Sequence, residues 1–250
     1  MPPEPTKRVL VIGATSAMAS EVARRYATEG ARLYLTGRNA ARLDAVASDL
    51  RVRGAGEVAT AVLDITDRDG TAEVLRAAWD AFEELDLALV APGALPDQAE
   101  CQASVSAALA ALQVNFTAAA ALLTDLANRF EAQRHGCIAV ITSVAGDRGR
   151  QSNYVYGAAK GGLDRFLEGL RNRLHRAGVA VVTLKPGFVD TPMTAGIRQG
   201  PLFVSAQRAG AAIHRAIERR RDVAYIPWFW RPIMLVIRSL PESVFKRLRL

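Results

Sequence analysis

The sequence predicts an α/β fold in which a parallel sheet is wound on both faces by helices. Short β-branched or aliphatic runs alternate with longer stretches of helical periodicity along the chain, the pattern of repeated strand–helix units. Sheets of this kind are covered on both sides, so their strands read as near-continuous apolar runs. The candidate functional residues fall at strand carboxyl ends or on the helices that follow, where open α/β sheets bind ligands.

RVLVIG (8–13) is the first strand, and residues 16–29 follow as an amphipathic helix that stops at Gly30. RLYLTG (32–37) is the second strand, with a helix over 39–53. EVATAVLD (57–64) is the third, before a helix over 67–83 for which Asp67 is the N-cap. LDLALV (85–90) is the fourth strand, and a long alanine-rich helix covers 103–134. CIAVITS (137–143) is a buried fifth strand before a helix over 153–177. VAVVTLKPG (179–187) is the sixth, ending in a turn; a helix over 205–221 and VAYIP (223–227) complete the alternation. No linker interrupts 1–250, so one domain is expected.

Half of the residues are hydrophobic, which excludes a disordered chain. Cys101 and Cys137 lack ligand-type spacing and suit a reducing, cytoplasmic setting. His135, His175 and His214 are too far apart in sequence to suggest a metal site, and none is expected. The start reads as a strand and not as a signal peptide, and no window is expected to reach the roughly 20 apolar residues that span a bilayer. The net charge is +7, but Arg is scattered over most helices and aromatics are 6%, so no nucleic-acid partner is expected.

The first strand runs into a turn of small residues, Gly13 to Ala19, in which Gly13, Thr15, Ser16, Ala17 and Met18 are candidate phosphate contacts. Such a turn lets backbone N–H groups and a helix N-terminus approach a phosphate. An ordinary strand–helix turn is the plainer alternative. The second strand ends at Gly37 and Arg38, where folds that prefer NAD carry an acid. Arg38, with Arg42 one turn on, suits the 2′-phosphate of NADP. NADP(H) is therefore expected ahead of NAD(H). Asp64 and Ile65 end the third strand, with the Asp64 carboxylate placed for an adenine amino group. Ala91-Pro92-Gly93 ends the fourth in a tight turn able to lie against a ribose.

Ser143, Tyr156 and Lys160 form the most informative pattern. Tyr156 and Lys160 are four residues apart in a helical segment, so they share a face with backbones roughly 6 Å apart. A free tyrosine titrates near pH 10, and an ammonium beside it is expected to lower that value. With a serine hydroxyl close by, the three suit proton transfer to or from a carbonyl or alcohol oxygen. Only four of the 32 basic residues are Lys, so a lysine at 160 points to a compact charge and not a planar fork.

These residues, with Asn115 in QVNF and Pro186-Gly187-x3-Thr191, make the chain resemble the short-chain dehydrogenase/reductases over nearly its whole length. The resemblance implies a Rossmann-type domain with seven parallel strands. It implies Tyr156 as general acid or base, Lys160 as ribose holder, Ser143 as positioner of the substrate oxygen and Asn115 as holder of a relay water. It also implies that Pro186, Gly187, Val189 and Thr191 line the nicotinamide site, Val189 and Thr191 at its carboxamide, and that assembly is a homodimer or homotetramer. Two departures stand out. Alanines replace the second and third glycines of the turn, narrowing the phosphate site, and Val-Ala-Pro-Gly stands at 90–93 for the usual Asn-Asn-Ala-Gly.

The segment 226–250 holds all but one of the tryptophans and five basic residues against Glu242 alone. Apolar and aromatic residues beside cations suit a membrane surface, and Pro232 is expected to interrupt the run. Packing on the sheet edge, shaping the pocket and a dimer contact are the alternatives. Together with 153–166 and 186–194, this tail is similar to a branch of reductases that act on polyprenylphosphoryl keto-pentoses. That implies a lipid-linked keto-sugar substrate, a place at the inner membrane face, and residues 192–204 as a lid hinged at Gly196 and Gly200. A small ketone, a 3-oxoacyl or steroid-like substrate, or a cofactor-sensing protein without activity are the competing readings.

Overall fold

The computed structural model describes residues 6–91, 93–196 and 198–248. Pro92 of the expected turn, Ile197 of the expected lid and Arg249 of the tail lie outside the described residues. The strands are β1 (Arg8–Ile12), β2 (Arg32–Gly37), β3 (Glu57–Val62), β4 (Leu87–Val90), β5 (Cys137–Ile141), β6 (Ala180–Pro186), β7 (Val189–Asp190), β8 (Val204–Ser205) and β9 (Val223–Ile226). Seven of them form one parallel sheet in the order β3-β2-β1-β4-β5-β6-β9, and they are the seven strands expected from sequence. β7 and β8 pair separately, Val189 opposite Val204, and tie the two ends of the 192–204 segment together.

Because side chains alternate across a strand, β1 feeds two cores. Val9 and Val11 join Tyr26, Leu43, Leu50 and Ile213 on one face. Leu10 and Ile12 join Phe82, Leu126, Phe130 and Leu167 on the other. The covering helices are α1 (Ala17–Thr28), α2 (Ala40–Val52), α3 (Arg68–Phe82), α4 (Gln98–Ala103), α5 (Val105–Leu112), α6 (Ala118–Gln133), α7 (Tyr154–His175), α8 (Ala206–Glu218), α9 (Trp230–Ser239) and α10 (Glu242–Phe245). Asp67 caps α3 as expected, accepting from the Gly70 N–H at 3.1 Å.

The long helix expected over 103–134 is divided. Ser104 ends α4 in extended geometry and caps α5, its Oγ accepting from the Ala107 N–H at 3.2 Å. Between α5 and α6 a π-helical turn, Gln113–Thr117, inserts an extra residue and carries Asn115. Such turns often sit at functional sites. The stretch Val105–Gln133 also corrects the membrane expectation, because at 29 residues and a mean hydropathy of 1.6 in its most apolar window it is long and apolar enough to cross a bilayer. Leu122, Leu126 and Phe130 from it are packed into the core beneath the sheet.

The tail is helical where interruption was expected. Pro232 is the third residue of α9, where a missing N–H deprives no helical carbonyl of a partner. Trp230 and Met234 are buried with Val144, against partly buried Phe188. The Arg148 guanidinium gathers the far end, donating to Ile237 O at 2.6 Å, Leu240 O at 2.7 Å and Glu242 Oε2 at 3.0 Å. It also lies 3.7 Å from the Phe245 ring centroid. Truncating a buried tryptophan costs roughly 3–5 kcal/mol, against about 1 kcal/mol or less for an exposed ion pair. The apolar face of α9 therefore decides where the tail sits.

Candidate active site

Every strand of the large sheet points the same way, so the turns after β1 to β6 meet along one edge. A cleft of about 600 Å³ there is lined by Gly13, Thr15, Ser16, Ala17, Met18, Arg38, Asp64, Ile65, Gly93 and Thr191. The first turn works because Gly13 sits at φ 82°, a region open mainly to glycine. That geometry aims the Gly13 and Ala14 N–H groups at Thr36 O, at 3.0 and 2.8 Å, and pins the turn to β2. α1 then begins at Ala17 with no side-chain cap and no acid in its first turn, leaving its leading N–H groups free for an anion. Of the two alanines expected to narrow this site, Ala19 is fully buried in the core and only Ala17 lines the cleft.

Arg38 and Arg42 stand exposed at the rim. Asn39 starts α2, its Oδ1 accepting from the Arg42 N–H at 2.9 Å, so Arg38 itself has no capping role. Asp64 accepts from the Thr66 N–H at 2.9 Å and hydroxyl at 2.8 Å. Those bonds hold its carboxyl below the usual carboxylate range, with the Arg38 charge adding to them. A glycine turn, an open helix N-terminus, a carboxylate and two exposed arginines suit an adenine dinucleotide, and the residues present fit one.

At the other end, a smaller cavity of about 130 Å³ is lined by Ser143, Tyr156, Lys160, Pro186, Gly187, Val189 and Thr191. Tyr156 and Lys160 share the first turns of α7, and Ser143 directly precedes a 3₁₀ turn, Val144–Asp147. Glycines let these two pieces touch. A Cβ on Gly146 would lie 2.7 Å from the Gly161 nitrogen, and one on Gly161 would lie 2.9 Å from Gly146 O. Ser143 Oγ accepts from the Ala145 N–H at 3.1 Å. Asn115 is buried behind this wall, with its Oδ1 accepting from the Ala94 N–H at 3.1 Å and its Nδ2 donating to Ala111 O at 3.0 Å. A Cβ on Gly93 would stand 3.1 Å from Asn115 Oδ1 and 3.2 Å from Lys160 Nζ, so the three meet at one point.

The electrostatics differ from the expectation that Lys160 lowers the tyrosine. Burial pushes the Tyr156 phenol up to about 12, and the Ser143 hydroxyl offsets only part of this. Burial also pushes the Lys160 ammonium down to about 8, partly opposed by Asp164 one turn further along α7. Lys160 Nζ is 5.7 Å from the Tyr156 ring centroid. For both groups the loss of water outweighs the neighbouring charge or dipole.

Beneath the triad lies a buried ion cluster. Lys185 Nζ of β6 is 2.5 Å from Asp147 Oδ1 and 2.8 Å from Asp164 Oδ2. The Asp164 contact is within ion-pair distance but lacks hydrogen-bond geometry. The Tyr225 hydroxyl of β9 donates to Asp147 Oδ2 at 2.7 Å. Burial opposes the Lys185 ammonium, yet Asp164 and Asp147 together raise its pKa.

The structure thus places all the sequence candidates along one edge. It adds residues the sequence reading missed, including Arg150, Asn153, Phe188 and Met193 in the wall of the smaller cavity. Their one sequence signal was position, in the runs between Ser143 and Tyr156 and after Pro186.

A doubly wound sheet with this glycine turn, and with a tyrosine and a lysine together at its edge, has the form of a nicotinamide-dependent oxidoreductase. The chain belongs to the short-chain dehydrogenase family, whose model matches residues 7–201. It is 38% identical over 240 residues to an uncharacterized oxidoreductase of Mycobacterium tuberculosis, covering 96% of each chain. It is 34% identical over 249 residues to an uncharacterized oxidoreductase of Streptomyces coelicolor, covering 98% of this chain and 96% of that one. Among solved structures, a short chain dehydrogenase of Burkholderia cenocepacia in complex with NADP superposes with a TM-score of 0.82 over 98% of both chains at 20% identity. Levodione reductase gives 0.81 at 21% identity, over 91% of this chain and 98% of that one. At such identities these two show the fold.

A buried lysine lowered to about 8 leaves a signature in stability. Between that value and the ordinary pKa near 10.5, the unfolded chain binds a proton that the folded one does not, so stability rises with pH. Urea midpoints measured from pH 7 to 10.5 are expected to show a rising contribution that Lys160→Met removes. A wild-type minus variant difference that is flat across this window refutes the buried-ammonium assignment.

Proposed function

We propose that the protein reduces a ketone to a secondary alcohol with NADPH. The observation that carries this is the meeting of the Ser143 and Tyr156 side chains in one cavity, at the nicotinamide end of the longer cleft. The bound nicotinamide supplies the hydride, which goes to the carbonyl carbon. Tyr156, protonated at neutral pH because burial holds its pKa near 12, gives its proton to the carbonyl oxygen as charge develops there. Ser143 holds that oxygen by hydrogen bonding. Lys160 would bind the nicotinamide ribose and pass a proton from solvent back to Tyr156, by way of a water held at Asn115. Val189 and Thr191 would hold the carboxamide so that one ring face meets the substrate, with Pro186 and Gly187 lining the same site. Thr15, Ser16, Ala17 and Met18 surround the pyrophosphate. Arg38 reads the 2′-phosphate.

The finer reading of the substrate is a lipid-linked keto-sugar met at a membrane surface. The exposed side of the tail supports it: Trp228 is 77% exposed, Leu235 68% and Val236 63%, flanked by exposed Arg231, Arg238, Lys246 and Arg247. Apolar side chains rimmed by cations complement an anionic lipid surface. Exposed Val105 and Leu109 on α5 are the apolar surface that a homodimer or homotetramer would cover.

Tyr156→Phe is expected to lower kcat by roughly 10²- to 10⁴-fold, the usual worth of a positioned acid, with NADPH binding retained. Unimpaired turnover in that variant removes Tyr156 from the chemistry. Arg38→Ala is expected to weaken NADPH by roughly ten- to hundredfold, the loss of charged hydrogen bonds, and NADH far less. Equal losses for both cofactors argue against the 2′-phosphate contact. The triple variant Trp228→Ser, Leu235→Ser, Val236→Ser keeps Trp230 buried and is expected to abolish sedimentation with phosphatidylglycerol vesicles. Failure of the unmodified protein to sediment with them rejects the membrane reading.

A further inference from the structure

The wall of the substrate cavity carries an arginine that forms no ion pair among the described residues. Arg150 lines that cavity with Ser143, Tyr156 and Phe188. Its Nε is shut off from solvent and has no hydrogen-bond partner, and its guanidinium takes part in none of the ion pairs among the described residues. Among the described residues no Asp or Glu lines the cavity, and the one other ionisable cation there is Lys160, set beside the tyrosine. Arg148, two residues earlier, shows what a structural arginine looks like in this protein. Its guanidinium is spent on three carbonyls, Glu242 and the Phe245 ring. Arg171 is likewise engaged, by Val181 O, Thr183 and Asp222.

A second orphan stands beside it. Asn153 lines the same cavity, and its Oδ1 is buried without a partner. The two residues are joined by the turn that leads into α7, with the Asn153 N–H donating to Arg150 O at 3.1 Å. One corner of the cavity therefore has an unmet donor and an unmet acceptor, while most buried polar groups in proteins are paired. Burial also lowers the Arg150 pKa with nothing to offset it, yet a guanidinium stays charged at any physiological pH. A partly buried charge left unpaired among the described residues, beside an unmet acceptor, marks a place that a ligand completes.

We propose that Arg150 binds an oxyanion of the substrate, a carboxylate or phosphate carried on the same molecule as the ketone. The planar fork of a guanidinium matches either group through two parallel hydrogen bonds. Fixing that end of the molecule orients its carbonyl toward Ser143 and Tyr156, and Asn153 Oδ1 accepts from a neighbouring substrate hydroxyl. The assignment rests on the reductase reading for its chemistry, and it selects among substrates: neutral ketones and steroids are disfavoured.

The test uses matched ketones with NADPH, levulinate against its methyl ester and a ketopentose phosphate against the free ketopentose. The wild type is expected to prefer the charged member of at least one pair, and that pair identifies the oxyanion. Arg150→Gln is expected to raise KM for the charged member by roughly ten- to hundredfold, as the loss of a charge-assisted pair would, with a much smaller change in kcat. Arg150→Lys is expected to restore part of the preference. A wild type that prefers the neutral members, or equal losses for both members in Arg150→Gln, overturns the proposal. Calorimetric titration of the charged ligands into NADP⁺-saturated protein separates this from the reductase reading. Binding that Arg150→Gln abolishes supports the anion site even where no ketone is turned over. Absence of binding, or binding indifferent to the substitution, overturns it.

Discussion

The rest of the site depends on one buried ion cluster. Lys185 projects from β6 between Asp147, which ends the 3₁₀ turn after Ser143, and Asp164, which lies on α7 one turn beyond Lys160. Tyr225 extends the same cluster to β9. A serine on one element, a tyrosine and lysine on a second, and the Pro186-Gly187 turn on a third are thereby referred to one ammonium. Burying these charges costs several kcal/mol per ion before pairing, and removing any partner strands the others. The cluster is therefore weak evidence for stability and stronger evidence for a fixed geometry. The glycine contact between Gly146 and Gly161 sets how near the two elements come, and the ions set their register.

Asp164 also acts upward. It is the one charge that opposes the fall of the Lys160 pKa, while Lys185 neutralises it from below. The row of charges through Lys160, Asp164, Lys185 and Asp147 alternates in sign, which is how several ionised groups share a low-dielectric interior. The row ends at Lys160, in the wall of the substrate cavity. Beyond it, Arg150 has no such partner, and the contrast separates arginines that hold the fold from one that awaits a ligand.

The C-terminal helix completes the wall that the sheet leaves open. Trp230 packs against Gly187 so closely that a Cβ there would meet its indole ring. The same indole meets Phe188, at 5.4 Å between ring centroids. Val144 touches this cluster from the serine side. One face of α9 thus buttresses two turns of the site, while its other face and the residues around it leave Trp228, Leu235 and Val236 in solvent. The alternatives for this tail, core packing and surface contact, belong to opposite faces of one amphipathic helix.

The sequence by itself determined the seven strands, their parallel arrangement and the residues gathered at their carboxyl ends. Those features rest on local patterns: apolar runs, a glycine that must take positive φ, and a four-residue spacing on a helix. Asp67 as a cap was legible for the same reason. Only the tertiary structure decided the π-helical turn that carries Asn115, because helical periodicity alone does not reveal one inserted residue. It also decided the pKa directions of Tyr156 and Lys160. Spacing says which groups are neighbours, but burial sets what each charge costs, and burial outweighed the neighbour in both. Pro232 in the first turn of a helix, Asp147 and Asp164 on one lysine, and Arg150 without a partner are likewise facts of assembly. A residue's identity is written in the chain, but whether its charge is met depends on everything that folds around it.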